Sequence, residues 1–163
     1  MANAHDYWNG CNSGATANEC NGNGNNSIQW GGNNAGNEST RAWQHLNLAD
    51  ILPGSYIGSS DPNGAEIGLN VPKASYDHCG YWFWNGTGRQ VYIILGAVRA
   101  DASGILQAGC LSGLDMQNID KKLDDGIKTS GRLTGGNGMS PNVACTYGEK
   151  NPKRCVPQFI PKK

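Results

Sequence analysis

Two periodicities organise the chain from about residue 38 onward, and neither appears before it. Residues 1–37 hold eleven Asn and seven Gly, centred on Asn21-Gly22-Asn23-Gly24-Asn25-Asn26, and read as a long ordered loop. Past it, Trp43, Leu46, Leu48, Ala49, Ile51 and Leu52 recur at helical spacing and predict an amphipathic helix of three turns. Ser39 or Thr40 stands where a cap is needed, and Pro53-Gly54 marks the stop. Gln44, His45 and Asn47 make the polar face of that helix; a lone His there is not evidence of a ligand or base. The pattern then turns β-like over Glu66–Val71, Tyr81–Trp84 and Gln90–Val98, with Asn85-Gly86-Thr87-Gly88 as a hairpin signal between the last two. In the third run Val91, Ile93 and Leu95 face one way and Tyr92 and Ile94 the other, which predicts a central strand of a covered sheet.

The clearest helix runs from Leu111 to Gly126. Ser112 and Asp115 have the spacing of a capping box, and Leu111 with Met116 that of a hydrophobic staple. Met116, Ile119 and Leu123 line one face, and Gly126 is placed to end the helix as its C′ residue. Asp124 and Asp125 load negative charge onto the unfavourable end of the helix dipole, so one or other of them is expected to have a specific partner, such as amides of the following loop. A glycine-rich loop, Gly131 to Gly138, leads to two strand candidates, Val143–Tyr147 and Val156–Ile160. Pro157 and Pro161 predict a sheet edge or extended tail for the second. The fold class is α+β: a helix packed on a small antiparallel sheet, a long Asn/Gly-rich loop and a C-terminal loop that a disulfide closes.

Composition sharpens this picture. With 24 Gly and 19 Asn among 163 residues, turns outweigh long helices, and the 16% charged content lies below the ~25% usual for soluble domains, against disorder or coiled coil. One domain over 1–163 is expected. Residues 1–70 carry one base against six acids, and 71–163 carry twelve bases against seven acids, so the two parts differ in sign. Six Cys, at 11, 20, 79, 110, 145 and 155, include no Cys-x-x-Cys pair, which disfavours zinc ribbons and thioredoxin-like sites. An even count in such a chain points to disulfides and an oxidising compartment. Fifteen pairings are possible; the shortest loops favour Cys11–Cys20 and Cys145–Cys155, which leaves Cys79–Cys110.

Candidate chemistry is sparse. Asn21, Asn23 and Asn25 fall at positions 1, 3 and 5 of a calcium-loop spacing, but Asn26 and Gly32 replace the expected Gly and Glu, and no ligand is charged. An Asn/Gly turn is the better reading, and no cofactor is expected. No nucleophile elbow, phosphate loop, zinc-protease or dinucleotide motif occurs, so no enzymatic role is expected. Tyr81-Trp82-Phe83-Trp84 offers Trp82 and Trp84 as stacking surfaces for a glycan or host surface, against the plainer expectation that they fill the core. The basic C-terminus, with Lys162 and Lys163, lacks interleaved aromatics, so DNA is not an expected partner.

Two segments carry a resemblance. One is Arg41-Ala42-Trp43-Gln44-His45-Leu46 continuing to Ile51-Leu52-Pro53-Gly54-Ser55-Tyr56, then Gly68-Leu69-Asn70-Val71-Pro72; the other is Ile119-Asp120-Lys121-Lys122-Leu123-Asp124-Asp125-Gly126 with Gly131 after it. Over residues 38–160 the chain resembles the globular head of bacterial type IV pilin-like proteins, including the pseudopilins of type II secretion. The resemblance implies a non-enzymatic subunit of an extracellular filament or secretion pseudopilus, with other pilin or pseudopilin subunits as partners in a homo- or hetero-oligomer. It implies passage through the inner membrane and periplasm on an N-terminal hydrophobic helix, for which residues 1–163 hold no counterpart. It also implies that Cys145 and Cys155 bound an outward-facing loop, and that 1–37 is the variable connection before the sheet. A secreted carbohydrate- or surface-binding adhesion module is the alternative.

Overall fold

The computed structural model describes residues 3–8, 11, 20–29, 38–58, 64–85, 90–100, 104–138, 144–150 and 153–161. A short 3-10 helix, Ala4–Asp6, precedes helix α1, Glu38–Leu48, and the hairpin strands β1, Gly80–Asn85, and β2, Val91–Gly96. Helix α2, Gly113–Leu123, follows, then β3, Leu133–Asn137, and β4, Cys155–Phe159. All sheet pairings are antiparallel, in the order β1-β2-β4-β3. The α+β class, the hairpin and the central place of β2 agree with the sequence pattern; the hairpin residues 86–89 lie outside the described set.

Helix α1 starts one residue earlier and stops sooner than its apolar stripe implies. Ser39 and Thr40 lie inside it rather than capping it, and their hydroxyls donate to the Phe83 and Gly58 carbonyls, both at 2.8 Å. The helix ends at Leu48 in a Schellman closure: Ile51 N–H donates to the Leu46 carbonyl and Asp50 N–H to that of Asn47, with Asp50 at φ 56°. Asn47 Nδ2 then holds the Leu52 and Gly54 carbonyls, so the chain has turned away before Pro53. Ile51, expected on the buried face, is therefore 70% exposed.

Glu66–Val71 is a turn and not a strand. Leu69 and Asn70 N–H both donate to the Glu66 carbonyl, and Gly68 N–H to that of Val71. The organiser is the buried Asn70 side chain, which accepts Glu66 N–H at 2.7 Å and donates to the Gly64 carbonyl at 2.9 Å. A buried amide that ties its own loop outcompetes the β-propensity of Ile67 and Val71.

Three corrections concern the C-terminal part. The glycine-rich stretch read as a loop contains β3, and 144–147 of the Val143–Tyr147 candidate form no strand, Val143 lying outside the described residues. β4 is interior despite Pro157. Ile160 N–H donates to Arg132 and Gly138 N–H to Arg154, so the even-numbered amides of β4 face β3 and position 157 faces β2. There the ladder to β2 covers only Gln158 and Phe159, and from Cys155 onward that flank pairs with Cys110–Leu111 instead. The missing N–H of Pro157 falls in the gap between the two ladders, where no bond is lost.

The sheet separates two apolar clusters. On one face Trp82, Ile94 and Val156 pack with Trp43 of α1, Val71 and Leu106; on the other Leu95, Leu133 and Cys155 pack with Leu111 and Met116. All six cysteines pair, as Cys11–Cys20, Cys79–Cys110 and Cys145–Cys155, with Cα separations of 5.2, 5.9 and 4.6 Å. Three bridges mark an oxidising compartment. Among the described residues no helix is long and apolar enough to cross a membrane.

Asn70→Ala leaves Glu66 N–H and the Gly64 carbonyl without their side-chain partner and is expected to cost about 2 kcal/mol. Urea unfolding reads this as a lower midpoint at unchanged slope; wild-type stability would mean that the turn is organised by something else.

Candidate functional site

The second resemblance segment forms a knot at the end of α2. Ser112 caps the helix, accepting Asp115 N–H at 3.1 Å, while its hydroxyl meets the Asp115 carboxylate at 2.7 Å; this replaces the return bond of a full capping box. At the other end Asp124 is the C-cap, so Gly126, at φ 74°, lies two residues beyond the cap rather than at C′. Leu123, expected on the buried stripe, is 72% exposed, while Met116 and Ile119 do pack inward.

Each carboxylate of the knot ties down a different piece of chain. Asp124 Oδ2 accepts the N–H groups of Arg132 and Leu133 and so fixes the start of β3, the second bond at 2.8 Å. Gly131, at φ 75°, passes so close that a Cβ there would collide with this carboxylate. Asp125 accepts the Ser130 hydroxyl at 2.6 Å and Ile127 N–H at 2.7 Å, bonds that hold its pKa below the ordinary value. The fully buried Asp120 accepts Gly126 N–H at 3.2 Å and the Tyr147 hydroxyl at 2.6 Å. The three lie close enough to share a cation, yet every one is engaged by protein donors. Amide-holding aspartates are what the dipole argument anticipates at this helix end.

Through Tyr147 the knot grips the Cys145–Cys155 loop. Burial, and then the Asp120 carboxylate, push the Tyr147 phenol well above its ordinary pKa. At the N-terminus of α2 the Glu149 carbonyl receives Leu114 N–H at 2.8 Å, and Gly113 lets the Thr146 carbonyl approach where a side chain would block it. The loop is thus fastened to both ends of one helix.

Beside α2 the sheet is open. α2 lies over β3 and β4, and next to it an apolar groove of about 280 Å³ is floored by Tyr81, Ile93 and Phe159, walled by Ile119 and Leu123, and ended by Tyr76. Arg132 sits over the Phe159 ring, 5.0 Å from its centre. The alternation of β2 located both apolar faces but not which of them the chain leaves uncovered.

A second concavity, about 370 Å³, lies along α1 between Trp8, Ile28, Ile51 and Phe83. The buried Glu38 binds the Asn-rich loop there, accepting Asn23 N–H at 2.7 Å and Gln29 N–H at 3.1 Å, while Arg41 donates to the Asn21 carbonyl. His45 contacts the Cys20 carbonyl through Nε2 at 2.8 Å and stacks on Trp8, ring centres 5.3 Å apart. Burial lowers its pKa, and Arg41 lowers it further, against the raising effect of the Cys20 carbonyl. The oxygens of the calcium-like spacing are taken by backbone amides: Asn21 Oδ1 accepts the N–H of His5, 16 residues away, while Asn23 Oδ1 accepts Asn25 N–H and Asn25 Oδ1 accepts Ser27 N–H in local turns. Gly32, the last position of that spacing, lies outside the described residues.

Of the two aromatic surface candidates, burial removes Trp82 and leaves Trp84 partly exposed. Trp82 is 0% exposed and Trp84 is half-buried, because the β1–β2 register sets them opposite Ile94 and Tyr92 on the face that packs against α1. Compared with known families, curated proteins and solved structures, the chain matches none.

Tyr147→Phe is expected to lower stability by about 1.5–3 kcal/mol, the worth of a hydrogen bond to a carboxylate. Because the folded state raises the Tyr147 pKa, its contribution is complete below the ordinary value of 10.0 and fades as pH climbs through the folded value. The variant should therefore lose that alkaline slope, and a double-mutant cycle with Asp120→Asn should show coupling. Strict additivity in the cycle would separate the loop from the knot.

Proposed function

We propose that this chain is the head of a non-enzymatic structural subunit (a pilin, minor pilin or pseudopilin) of an extracellular type IV pilus-like filament or secretion pseudopilus. The carrying observation is the half-covered sheet. Strands are spaced about 4.8 Å apart and a helix with its side chains is about 10 Å wide, so one helix covers about two strands. α2 takes the β3–β4 half of its face, and the groove over Tyr81, Ile93 and Phe159 leaves room for one more apolar helix. In the pilin reading that place belongs to the hydrophobic helix that holds each subunit in the inner membrane and then in the filament core. The fastening of Thr146, Tyr147 and Glu149 to α2 supports the same reading for the Cys145–Cys155 loop, and the three bridges fit passage through the periplasm to the cell surface. Its partners are like subunits; a host surface or glycan remains a target for the displayed end, and DNA is not invoked. The alternative, a secreted carbohydrate- or surface-binding adhesion module, loses the buried Trp82 as a stacking surface and keeps the partly exposed Trp84 and Tyr81.

The deciding experiment is to read the native gene immediately upstream of the Met1 codon. A short basic leader, a Gly–Phe-type cleavage site and ~20 apolar residues with an early Glu are expected. A conventional signal peptide with no retained apolar segment would sink filament assembly. Independently, Leu123→Glu places a charge on the exposed groove wall. The head should stay folded and disulfide-bonded but disappear from sheared surface filaments; normal incorporation would show that this face is not used.

A further inference from the structure

Asn21 is held at three of its polar atoms by groups that also bear on its chemistry. Its side-chain oxygen accepts His5 N–H at 3.1 Å, and its amide nitrogen lies 2.7 Å from His5 Nδ1. Across the same ring, Nε2 meets the Asp6 carboxylate at 3.0 Å. That carboxylate keeps the imidazole proton on Nε2, so Nδ1 faces the Asn21 amide as an acceptor. The main-chain carbonyl of Asn21 receives the Arg41 guanidinium. Gly22 follows in the chain, and among the described residues no acceptor takes its N–H. Gly22 also lines the 370 Å³ cleft, which gives water access to the spot.

We propose that Asn21–Gly22 is a self-modifying site, at which His5 catalyses deamidation of Asn21 through a succinimide. Gly22 N gives its proton to solvent and attacks Asn21 Cγ, forming the new C–N bond. Arg41, on the Asn21 carbonyl, stabilises the charge left on that peptide group, and His5 N–H stabilises the oxyanion that develops on Oδ1. The Cγ–Nδ2 bond then breaks. His5 Nδ1 takes a proton from solvent and hands it to the leaving nitrogen, which departs as ammonia. Water, the one co-reactant, opens the imide at either carbonyl. Opening one way leaves Asp at position 21, with its new carboxylate beside His5; opening the other way leaves isoaspartate, with its carboxylate beside Arg41. Two further Asn-Gly pairs among the described residues lack this set. Asn23 Nδ2 faces Gln29 Oε1 at 3.4 Å and has no ring beside it. At Asn137 the next amide, Gly138 N–H, is committed to the Arg154 carbonyl at 2.8 Å.

The test incubates the full, disulfide-bonded chain at neutral pH and follows each Asn-Gly pair by peptide mapping and mass spectrometry. In the folded protein Asn21 should convert about tenfold or more faster than Asn23, with Asn137 slowest. In urea the three rates should converge; rates that stay apart there would assign the difference to sequence neighbours and overturn the proposal. His5→Gln should bring Asn21 down to the rate of Asn23 and leave Asn23 and Asn137 unchanged. A merely structural role for His5 has the opposite sign, since a loosened loop would speed Asn21. Asp6 acts through His5 as a positioning residue, so Asp6→Asn should slow Asn21 alone and Asp6→Glu should restore it. Conversion of Asn21 no faster than Asn23, or unchanged in His5→Gln, would overturn the proposal. So would scission of the peptide bond between Asn21 and Gly22, which would make Nδ2 and not Gly22 N the attacking atom.

Discussion

The structure hangs on the insertion of β4 between β2 and β3. Its outer flank carries the full ladder to β3, and its inner flank is shared between β2 and the Cys110–Leu111 segment. Val156 of this strand belongs to the cluster under α1, and Cys155 and Phe159 to the cluster under α2. Withdrawing β4 would separate β3 from the hairpin and expose both clusters at once. These contacts join residues far apart in sequence, so the sheet forms late and cooperatively, as expected for a fold dominated by non-local pairing.

The edges and the faces of this sheet are treated differently. On β1, Tyr81 N–H donates to the Pro72 carbonyl, and the Ser39 hydroxyl covers the Phe83 carbonyl. On β3, Gly135 N–H donates to the Lys128 carbonyl, and Asn137 Oδ1 accepts Cys145 N–H. Occupied edge groups oppose strand-to-strand association. The groove beside α2 is apolar instead and invites contact through side chains. An assembly using this surface would be built face-on, by helix packing, and not by extending the sheet.

Local signals were legible in the sequence and conditional ones were not. The Ser112 cap, the Met116 and Ile119 stripe and the β1–β2 hairpin each follow from neighbours a few residues apart, and the pairing found is the one that the shortest loops favoured among fifteen left open. The Asp124–Asp125 anomaly correctly signalled partners in the following loop. Other features depend on distant chain: β3 forms in a glycine-rich stretch because β4 lies alongside, and Pro157 is tolerated because two ladders happen to break there. Asn70 fell inside the Glu66–Val71 strand candidate and is instead the centre of a buried turn. Of the candidate site, the carboxylate knot was visible in outline. The groove was not, because periodicity shows which side chains want cover and says nothing about whether this chain supplies it.

Adjacent bridges have a consequence for how the protein matures. Cys110 N–H donates to the Cys155 carbonyl, and Cys79, Cys110, Cys145 and Cys155 share one core cluster. Four thiols that meet in the same small volume can pair in three ways, and their nearness alone does not select the native one. Docking of β4 on β3 does, because it pairs Cys155 with Asn137, whose side chain holds the Cys145 N–H. Oxidation that outruns this docking would trap a wrong pairing inside the nascent core. Maturation is therefore helped by disulfide exchange as well as disulfide formation, because exchange releases chains that oxidise before β4 has docked.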